Sequence, residues 1–285
     1  QPDLKFSRID WLDIGVDYSI LDNIGGNVGA TYLTGNDCFI ANKRCYFCGR
    51  LAMGNPNTKE EIEKRISMVW GEIGFAWKNG LTHYFNSADS ALRNPELFKR
   101  FAESTPGWFK PKFHHLFANA HEITPEVIPL LKKLNATVYL GVENAAIDNH
   151  GKGKIHFNSN NDYSIDLMST RRAIEVLHKF SLPMRLSFVL GDPGETKETL
   201  NENLEKIVEM VQKYPTITDI ELNPLGVLPG TQAFRDLMRI KSDKYKNLEV
   251  PYNHIEMSKD LIPLISEVNR EDVLNSIGKM YKAVQ

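Results

Sequence analysis

Cysteine is scarce in this sequence, and the few cysteines present are clustered. Three occur among 285 residues, and all of them lie within residues 38–48. An odd and tightly clustered set does not form the disulfide framework of a small secreted domain, but it suits a reducing compartment in which thiolates bind metal. The sequence therefore predicts a metal-binding loop in a cytoplasmic protein.

The sequence also lacks an excess of charge and a long apolar run. Lys and Arg number 34 against 36 Asp and Glu, so there is no basic excess that would favour binding to a phosphate backbone. No apolar run reaches the roughly 18 residues of a membrane span, and residues 1–19 lack the basic and apolar regions of a signal peptide. We expect a soluble globular protein that binds neither nucleic acid nor a membrane.

Short apolar runs rich in β-formers alternate along the chain with longer amphipathic stretches. Such alternation predicts βαβ units and a parallel sheet. The candidate strands are residues 30–33, 82–85, 114–118, 137–142, 184–190 and 219–224. The candidate helices are residues 59–79, 95–104, 124–134, 166–180, 198–214 and 270–283. Six units in series predict an α/β fold, a partial TIM-like (β/α)6 barrel with its chemistry at the carboxyl ends of the strands.

Two of the predicted helices begin at recognisable capping motifs. The last part of the chain has fewer signals of secondary structure. Thr58 with Glu61 three residues later fits a capping box, and Thr124 followed by Pro125 fits an N-cap with proline at the first helical position. After Gly230 the alternation fades into a polar tail. We therefore expect an N-terminal extension at residues 1–29, a barrel at 30–234 and a C-terminal extension with a helical tail at 235–285.

The cysteines follow the first predicted strand with the spacing C-x6-C-x2-C, at Cys38, Cys45 and Cys48. Three thiolates can hold three irons of a 4Fe-4S cluster and leave the fourth iron open, whereas a closed structural zinc site needs four ligands. No histidine lies within roughly thirty residues of Cys48 to complete a zinc site. An iron-sulfur cluster is the favoured interpretation, with zinc binding and incidental thiols as the alternatives.

The cysteine motif resembles that of the radical S-adenosylmethionine (SAM) superfamily, whose usual signature is C-x3-C-x2-C after the first strand of a six-unit partial barrel. The first gap is longer here, but the ending Cys45-Tyr-Phe-Cys48 keeps an aromatic residue before the last cysteine. The resemblance implies that Phe47 shields the cluster and lies near the adenine of SAM. The alternative is that Phe47 is an ordinary core residue.

Three further segments, within a resemblance that spans about residues 17–234, are similar to the branch that contains methylthiotransferases, Elongator-type enzymes and cobalamin-dependent radical SAM enzymes. They are residues 119–145, 184–196 and 221–234. The resemblance implies that Glu143 accepts hydrogen bonds from the ribose of SAM and that the backbone at Leu190 and Gly191 contacts adenine. It also makes Arg185 a candidate partner of the SAM carboxylate. The alternatives are a solvated strand end for Glu143 and a salt bridge for Arg185.

Polar residues after the second and third strands complete the candidate set. Ser87 and Asp89 match strand-end positions that could accept hydrogen bonds from the SAM ammonium group, with helix capping as the alternative. Strand alternation sends one of His114 and His115 toward a substrate, although a packed and hydrogen-bonded histidine is the more ordinary outcome. No catalytic side chain is assigned, because the radical derives from SAM in the radical SAM enzymes that this sequence resembles.

The resemblance implies an enzyme that uses a 4Fe-4S cluster and SAM to form a 5′-deoxyadenosyl radical, which abstracts hydrogen from a substrate. An electron donor such as flavodoxin or ferredoxin is implied, and the exact reaction, of lyase or oxidoreductase type, stays open. No cysteine remains for an auxiliary cluster, which disfavours a methylthiotransferase. Residues 1–29 are too few for a cobalamin domain, so we expect no cobalamin.

The expected substrate is a peptide, for example a ribosomally made peptide that is modified or has a tyramine unit spliced out, with a separate peptide-recognition protein as a further partner. A small metabolite is the alternative substrate. A non-catalytic binding module stabilised by zinc or an iron-sulfur cluster is the alternative from another functional class.

Overall fold

The computed structural model describes residues 29–35, 45–48, 56–143, 145, 167–245 and 253–284. Six parallel strands form one sheet, in which each strand pairs with the next one along the chain. They are β1 (Gly29–Tyr32), β2 (His83–Asn86), β3 (Phe113–Ala118), β4 (Thr137–Glu143), β5 (Met184–Leu190) and β6 (Ile217–Pro224). This arrangement confirms the predicted partial TIM-like (β/α)6 barrel.

Helices connect the strands and follow the last one. They are α1 (Lys59–Lys78), α2 (Pro95–Glu103), α3 (Ile128–Lys133), α4 (Leu167–Lys179), α5 (Lys197–Lys213), α6 (Gln232–Ile240), α7 (Ser242–Tyr245), α8 (His254–Ile265) and α9 (Arg270–Val284). A short 3₁₀ helix at Ala120–Glu122 precedes α3. Among the helices of the described ranges, none combines the length and apolar character needed to span a bilayer.

The sequential strand order determines which face of the sheet the helices cover. Parallel crossovers are almost always right-handed, so strands added in one direction carry all of their connecting helices on the same face. Along β5, Leu186 and Phe188 are fully buried on that face, while Arg185 and Ser187 alternate with them and stay partly exposed. We call the other face the concave face; its residues include Phe85, His115, Phe117, Tyr139, Arg185 and Asp219.

A buried polar pair lies between the sheet and its helices. The Nδ1 atom of His114 lies 2.8 Å from the carbonyl oxygen of Leu134. Because that oxygen only accepts, Nδ1 carries the proton and Nε2 accepts a hydrogen bond from the Tyr32 hydroxyl. Burial lowers the pKa of His114 to about 4. His114 is therefore the packed, neutral histidine, whereas His115 lies on the concave face.

The capping box at α1 is confirmed, but the predicted start of α3 is wrong. The Thr58 hydroxyl oxygen accepts a hydrogen bond from the Glu61 amide at 3.1 Å, and the Glu61 carboxylate accepts one from the Thr58 amide at 3.0 Å. In contrast, α3 begins at Ile128 rather than after Thr124. The later start keeps Pro129 in the first turn, where backbone N–H groups have no partner within the helix, so proline costs no hydrogen bond there.

The predicted C-terminal helical tail is confirmed, but the region after Gly230 holds more helices than the one that was located, because α6 and α8 precede it. Thr231 caps α6 by accepting from the Phe234 amide at 3.0 Å. Asn253 caps α8 by accepting from the amides of Ile255 and Glu256. Pro263 lies inside α8, and this breaker residue obscures the helix in the sequence.

Removal of the Tyr32 hydroxyl tests the buried polar pair. Tyr32→Phe leaves Nε2 of His114 buried without a partner and should lower the free energy of unfolding by about 1–3 kcal/mol. Tyr281→Phe is the matched control. The Tyr281 hydroxyl also donates to a protein group, the Ile220 carbonyl at 3.3 Å, but Tyr281 is 40% exposed. Urea denaturation should show a loss below about 0.5 kcal/mol for the control, and equal losses in the two variants would contradict the assignment.

Candidate functional site

Most of the sequence-predicted site residues lie where the parallel strands end, which we call the carboxyl edge of the sheet. The cysteine loop follows β1, Ser87 directly follows β2, and Glu143 ends β4. Leu190 ends β5, and Gly191 is the next residue. Cys38 lies outside the described residues. The fold thus brings residues distant in sequence to the edge at which TIM-like barrels carry their chemistry.

Cys45 and Cys48 lie at the two ends of a tight turn. The Cys48 amide donates to the Cys45 carbonyl at 3.0 Å, and both residues are half-buried and outside any disulfide. A turn of this kind brings its first and last residues close together, so the two thiols fit ligation of one metal cluster. Within the described ranges no three His, Cys, Asp or Glu residues are grouped as a metal site, and Cys38 lies outside those ranges.

Phe47 shows the core packing that was the alternative considered for it in the sequence. It is half-buried and packs against the hydrophobic core, while its position in the turn keeps it next to Cys48. Packing against the core therefore holds the ring beside the thiols that would ligate a cluster.

The ends of β1 and β2 are tied together by polar contacts. The Ser87 amide and hydroxyl both donate to the Tyr32 carbonyl, at 2.9 and 3.3 Å. Asn94, rather than Ser87 or Asp89, caps α2 by accepting from the Leu97 amide at 3.0 Å. The helix-capping alternative for Ser87 and Asp89 is therefore wrong.

Asn86 is a structural anchor of this edge that the sequence analysis missed. Its side chain is fully buried, donates to the Thr34 hydroxyl at 2.8 Å and accepts from the Ala88 amide at 3.2 Å. These bonds fix the segment that leads from β1 toward the cysteines. No sequence signal separates Asn86 from an ordinary turn-forming asparagine, because asparagine at a strand end is common.

Glu143 is buried, with 8% of its surface exposed, so the solvated alternative is wrong. Its backbone adopts φ +66°, and the pairing of β4 with β5 shifts register between Gly141 and Glu143. A non-glycine residue in this left-handed conformation is strained, and such strain often marks functional positions. The bulge turns the end of β4 at the residue that the resemblance singles out.

Two further carboxyl groups accompany Glu143 at the carboxyl edge. Burial, together with the negative charges of Glu195 and Glu143, holds the pKa of Asp192 well above its ordinary value. Burial also raises the pKa of Glu195 to about 7, although its carboxylate accepts a hydrogen bond from the Gly191 amide. A protonated carboxyl group can donate as well as accept, which suits a diol. Asp192 was missed because an aspartate between glycine and proline resembles a simple turn residue.

The turn after β5 is held by α8 and the residues that follow it. The Gly194 amide donates to the Ile265 carbonyl at 2.6 Å, and the Glu267 amide donates to the Glu195 carbonyl at 2.8 Å. Gly191 has φ +87°, and a Cβ atom there would lie 3.2 Å from Ile262. A side chain at position 191 would therefore meet α8.

Leu190 is also part of this framework. Its side chain is fully buried on the helix-covered face, and its carbonyl accepts from the Leu225 amide at 2.7 Å. The carbonyl of Leu190 is thus already used in joining the ends of β5 and β6.

Arg185, a candidate for the SAM site, does not lie at the carboxyl edge. It lies near the start of β5, so at about 3.3 Å per residue its Cα is roughly 20 Å from that of Gly191. Its guanidinium pairs with Asp219 at 2.6 Å and lies 5.1 Å from the ring centroid of Tyr139. The salt-bridge alternative is therefore present, and Arg185 belongs to the concave face.

The concave face carries aromatic rings in contact with one another. The Phe85 and Phe117 ring centroids are 5.2 Å apart, and those of Phe117 and Tyr139 are 4.7 Å apart. His115 lies on the same face, and its pKa is lowered by burial and by the nearby charges of Arg185 and His83. This face can hold an apolar or aromatic group against rings, with polar groups at its side.

Comparison with solved structures finds proteins of similar fold, among them a methyltransferase. TsrM from Kitasatospora setae, a radical S-adenosylmethionine methyltransferase solved with cobalamin and a 4Fe-4S cluster, matches with TM-score 0.55 at 15% identity over 78% of this chain and 41% of that chain. A TsrM structure with tryptophan substrate and the SAM analog aza-SAM matches with TM-score 0.57 at 14% identity over 75% and 39%.

These likenesses show that the chain and part of TsrM share a fold. The chain spans about two fifths of the length of TsrM. No protein-family model and no curated protein matches the chain.

Replacement of Gly191 tests the contact with α8. Gly191→Ala adds a Cβ atom that would contact Ile262, at a residue with left-handed backbone conformation. Gly80→Ala is the control, because Gly80 has the same conformation, φ +81°, but an added Cβ atom there would have no neighbour within 4 Å. We expect the control to lower the free energy of unfolding by about 1 kcal/mol and Gly191→Ala by about 2–3 kcal/mol. Equal losses in urea denaturation would show that Ile262 does not constrain this position.

The raised pKa of Glu195 predicts how stability depends on pH. Since the folded pKa of about 7 exceeds the ordinary value of 4.5, the folded state binds the proton more tightly. The stability that this proton provides is complete below pH 4.5 and is lost as the pH rises through 7. Glu195→Gln removes this titration. Between pH 5 and pH 8 the free energy of unfolding should therefore fall by about 2–3 kcal/mol less in the variant than in the parent.

Urea denaturation of parent and variant at both pH values measures the difference, and titrating groups that do not interact with Glu195 cancel in the comparison. Asp192 does interact with Glu195, and loss of the Glu195 charge removes part of the rise in the Asp192 pKa, which changes the difference in the same direction. Glu198→Gln is the control, because Glu198 lies in the exposed first turn of α5 and its pKa is lowered. The control should follow the parent, and a Glu195→Gln variant that also follows the parent would contradict the raised pKa.

Proposed function

We propose that this chain is a radical SAM enzyme in which Cys38, Cys45 and Cys48 ligate a 4Fe-4S cluster. The single observation that carries the proposal is the convergence of the cysteine turn, Glu143 and the turn after β5 at the carboxyl edge of a radical SAM core fold. Bound there, the cluster and SAM supply a 5′-deoxyadenosyl radical, once a donor such as flavodoxin or ferredoxin provides one electron. Methionine is the other product of that cleavage.

The residues of the chain hold and orient SAM in this proposal. Glu143, buried at the end of β4, accepts hydrogen bonds from the ribose hydroxyl groups. Ser87 and Asp89, which follow β2, accept hydrogen bonds from the SAM ammonium group through their side-chain oxygens. Phe47 excludes water from the cluster beside Cys48.

The turn after β5 forms the remaining part of the proposed SAM site. Leu190 and Gly191 contribute backbone to the adenine side, held in place by α8 and by the Leu225 amide. Asp192, whose pKa burial holds well above its ordinary value, supplies a further hydrogen-bonding group close to Glu143.

We propose a peptide as the substrate, bound along the concave face. The contacting rings of Phe85, Phe117 and Tyr139 provide an apolar surface, and Arg185 with Asp219 provides charged groups beside it. A ribosomally made peptide that is modified, including removal of a tyramine unit, fits a surface of this chemistry, and a separate protein would present the peptide. A small aromatic metabolite is the second substrate class that the same rings would accept.

We further propose that SAM is the only organic cofactor. The cobalamin in the TsrM structure belongs to that protein, of which this chain spans about two fifths. The proposal is tested by the cobalt content of the purified protein.

Single replacements of the three cysteines test the proposed function. Each of Cys38→Ala, Cys45→Ala and Cys48→Ala removes one iron ligand and should abolish formation of 5′-deoxyadenosine from SAM after anaerobic reconstitution and reduction. Thr218→Ala is the control, because its hydroxyl bonds to Met184 at the opposite end of the sheet, at 3.2 Å. The control should retain the parent rate.

Metal analysis of the same samples separates the outcomes. Iron near four per chain in the parent supports the cluster, and a cysteine variant that cleaves SAM at the parent rate overturns its assignment. Stoichiometric zinc with no iron would instead support the binding module, and stoichiometric cobalt would overturn the proposal that SAM is the only organic cofactor.

A further inference from the structure

Tyr46, between the two cysteines of the turn, is buried far more deeply than its neighbours. Only 2% of its surface is exposed, whereas Cys45, Phe47 and Cys48 are half-buried. Its hydroxyl forms a hydrogen bond with the carboxylate of Asp236 in α6. Burial, and then the negative charge of Asp236, holds the Tyr46 pKa well above its ordinary value, so the hydroxyl keeps its proton and donates.

A second bond joins the same two segments. The Ala233 amide, in the first turn of α6, donates to the Tyr46 carbonyl at 3.1 Å. First-turn amides have no partner within their own helix, so the cysteine turn satisfies a group that the helix leaves open. Ala233 and Asp236 are three residues apart and therefore lie on one side of α6.

Asp236 is itself held in position to accept this bond. The Gln232 side-chain amide donates to its Oδ1 atom at 2.9 Å, and the Arg239 guanidinium lies 3.6 Å from the same atom. The carboxylate therefore has little freedom to move away from Tyr46. A fixed acceptor orients the turn better than a mobile surface carboxylate would.

The contact links the two ends of the sheet. The cysteine turn follows β1 and α6 follows β6, and within the described residues each of these strands pairs with only one other strand. Tyr46 thus joins the first β/α unit to the last, across the opening of the partial barrel. The position of the thiols is tied to α6, not only to the strand that precedes them.

We infer that Tyr46 and Asp236 are positioning residues that hold Cys45 and Cys48 in the geometry required for metal ligation. The identity of the metal cluster in this inference rests on the proposed function. The restraint on the turn is independent of the proposed function. Loss of either partner should loosen the turn and expose the thiols without removing a ligand.

The first measurement uses the metal-free protein. In Tyr46→Phe and in Asp236→Ala, alkylation of Cys45 and Cys48 by iodoacetamide, followed by peptide mass spectrometry, should be about fivefold faster than in the parent. Tyr84→Phe is the matched control, since Tyr84 is also buried and donates to Leu81 at 2.6 Å, but from β2. The double variant should react no faster than the faster single variant, because both remove the same bond.

The second measurement uses the reconstituted protein and an iron chelator. Iron should be released about fivefold faster from Tyr46→Phe and Asp236→Ala than from the parent and from Tyr84→Phe. Alkylation rates equal to those of Tyr84→Phe would overturn the inference whether or not iron binds. A parent that binds no iron but shows the expected alkylation pattern would overturn the proposed function and leave the positioning role in place.

Discussion

Sequential, one-directional strand order is the constraint on which the rest of the structure depends. Because each strand is added beside the previous one, the connecting helices all cover one face, and all strands end at one edge. That edge collects the cysteine turn, Ser87 and Glu143 from separate units of the chain. The same order leaves β1 and β6 at opposite ends of the described sheet, so other contacts must hold those ends in place.

The C-terminal helices provide those contacts. α6 receives the cysteine turn through Tyr46, and α8 packs Ile262 against the turn at Gly191. Two backbone hydrogen bonds add to the second contact, from Gly194 to Ile265 and from Glu267 to Glu195. α6, which completes the last β/α unit, and α8, which follows it, therefore shape the two loops that the proposed function requires for the cluster and for SAM.

Buried acidity distinguishes the carboxyl edge from the concave face. At the edge, Asp192 and Glu195 are buried close to Glu143, and burial raises the pKa of both. On the concave face the charges are instead paired, as Arg185 is with Asp219, and they lie beside aromatic rings. The two surfaces therefore suit different ligands: a polar molecule with hydroxyl and ammonium groups at the edge, and a more apolar group along the rings.

The sequence by itself determined the six strands, the strong helices and the cysteine motif, because periodicity and capping are local properties that side-chain chemistry sets directly. Local signals misplaced the start of α3, where Pro129 decides, and missed α6 and α8. Only the tertiary structure decided that Arg185 lies away from Gly191, that Gly191 accommodates Ile262, and that Tyr46 reaches Asp236. These outcomes depend on distances between residues far apart in the chain, which packing sets and local sequence patterns do not encode.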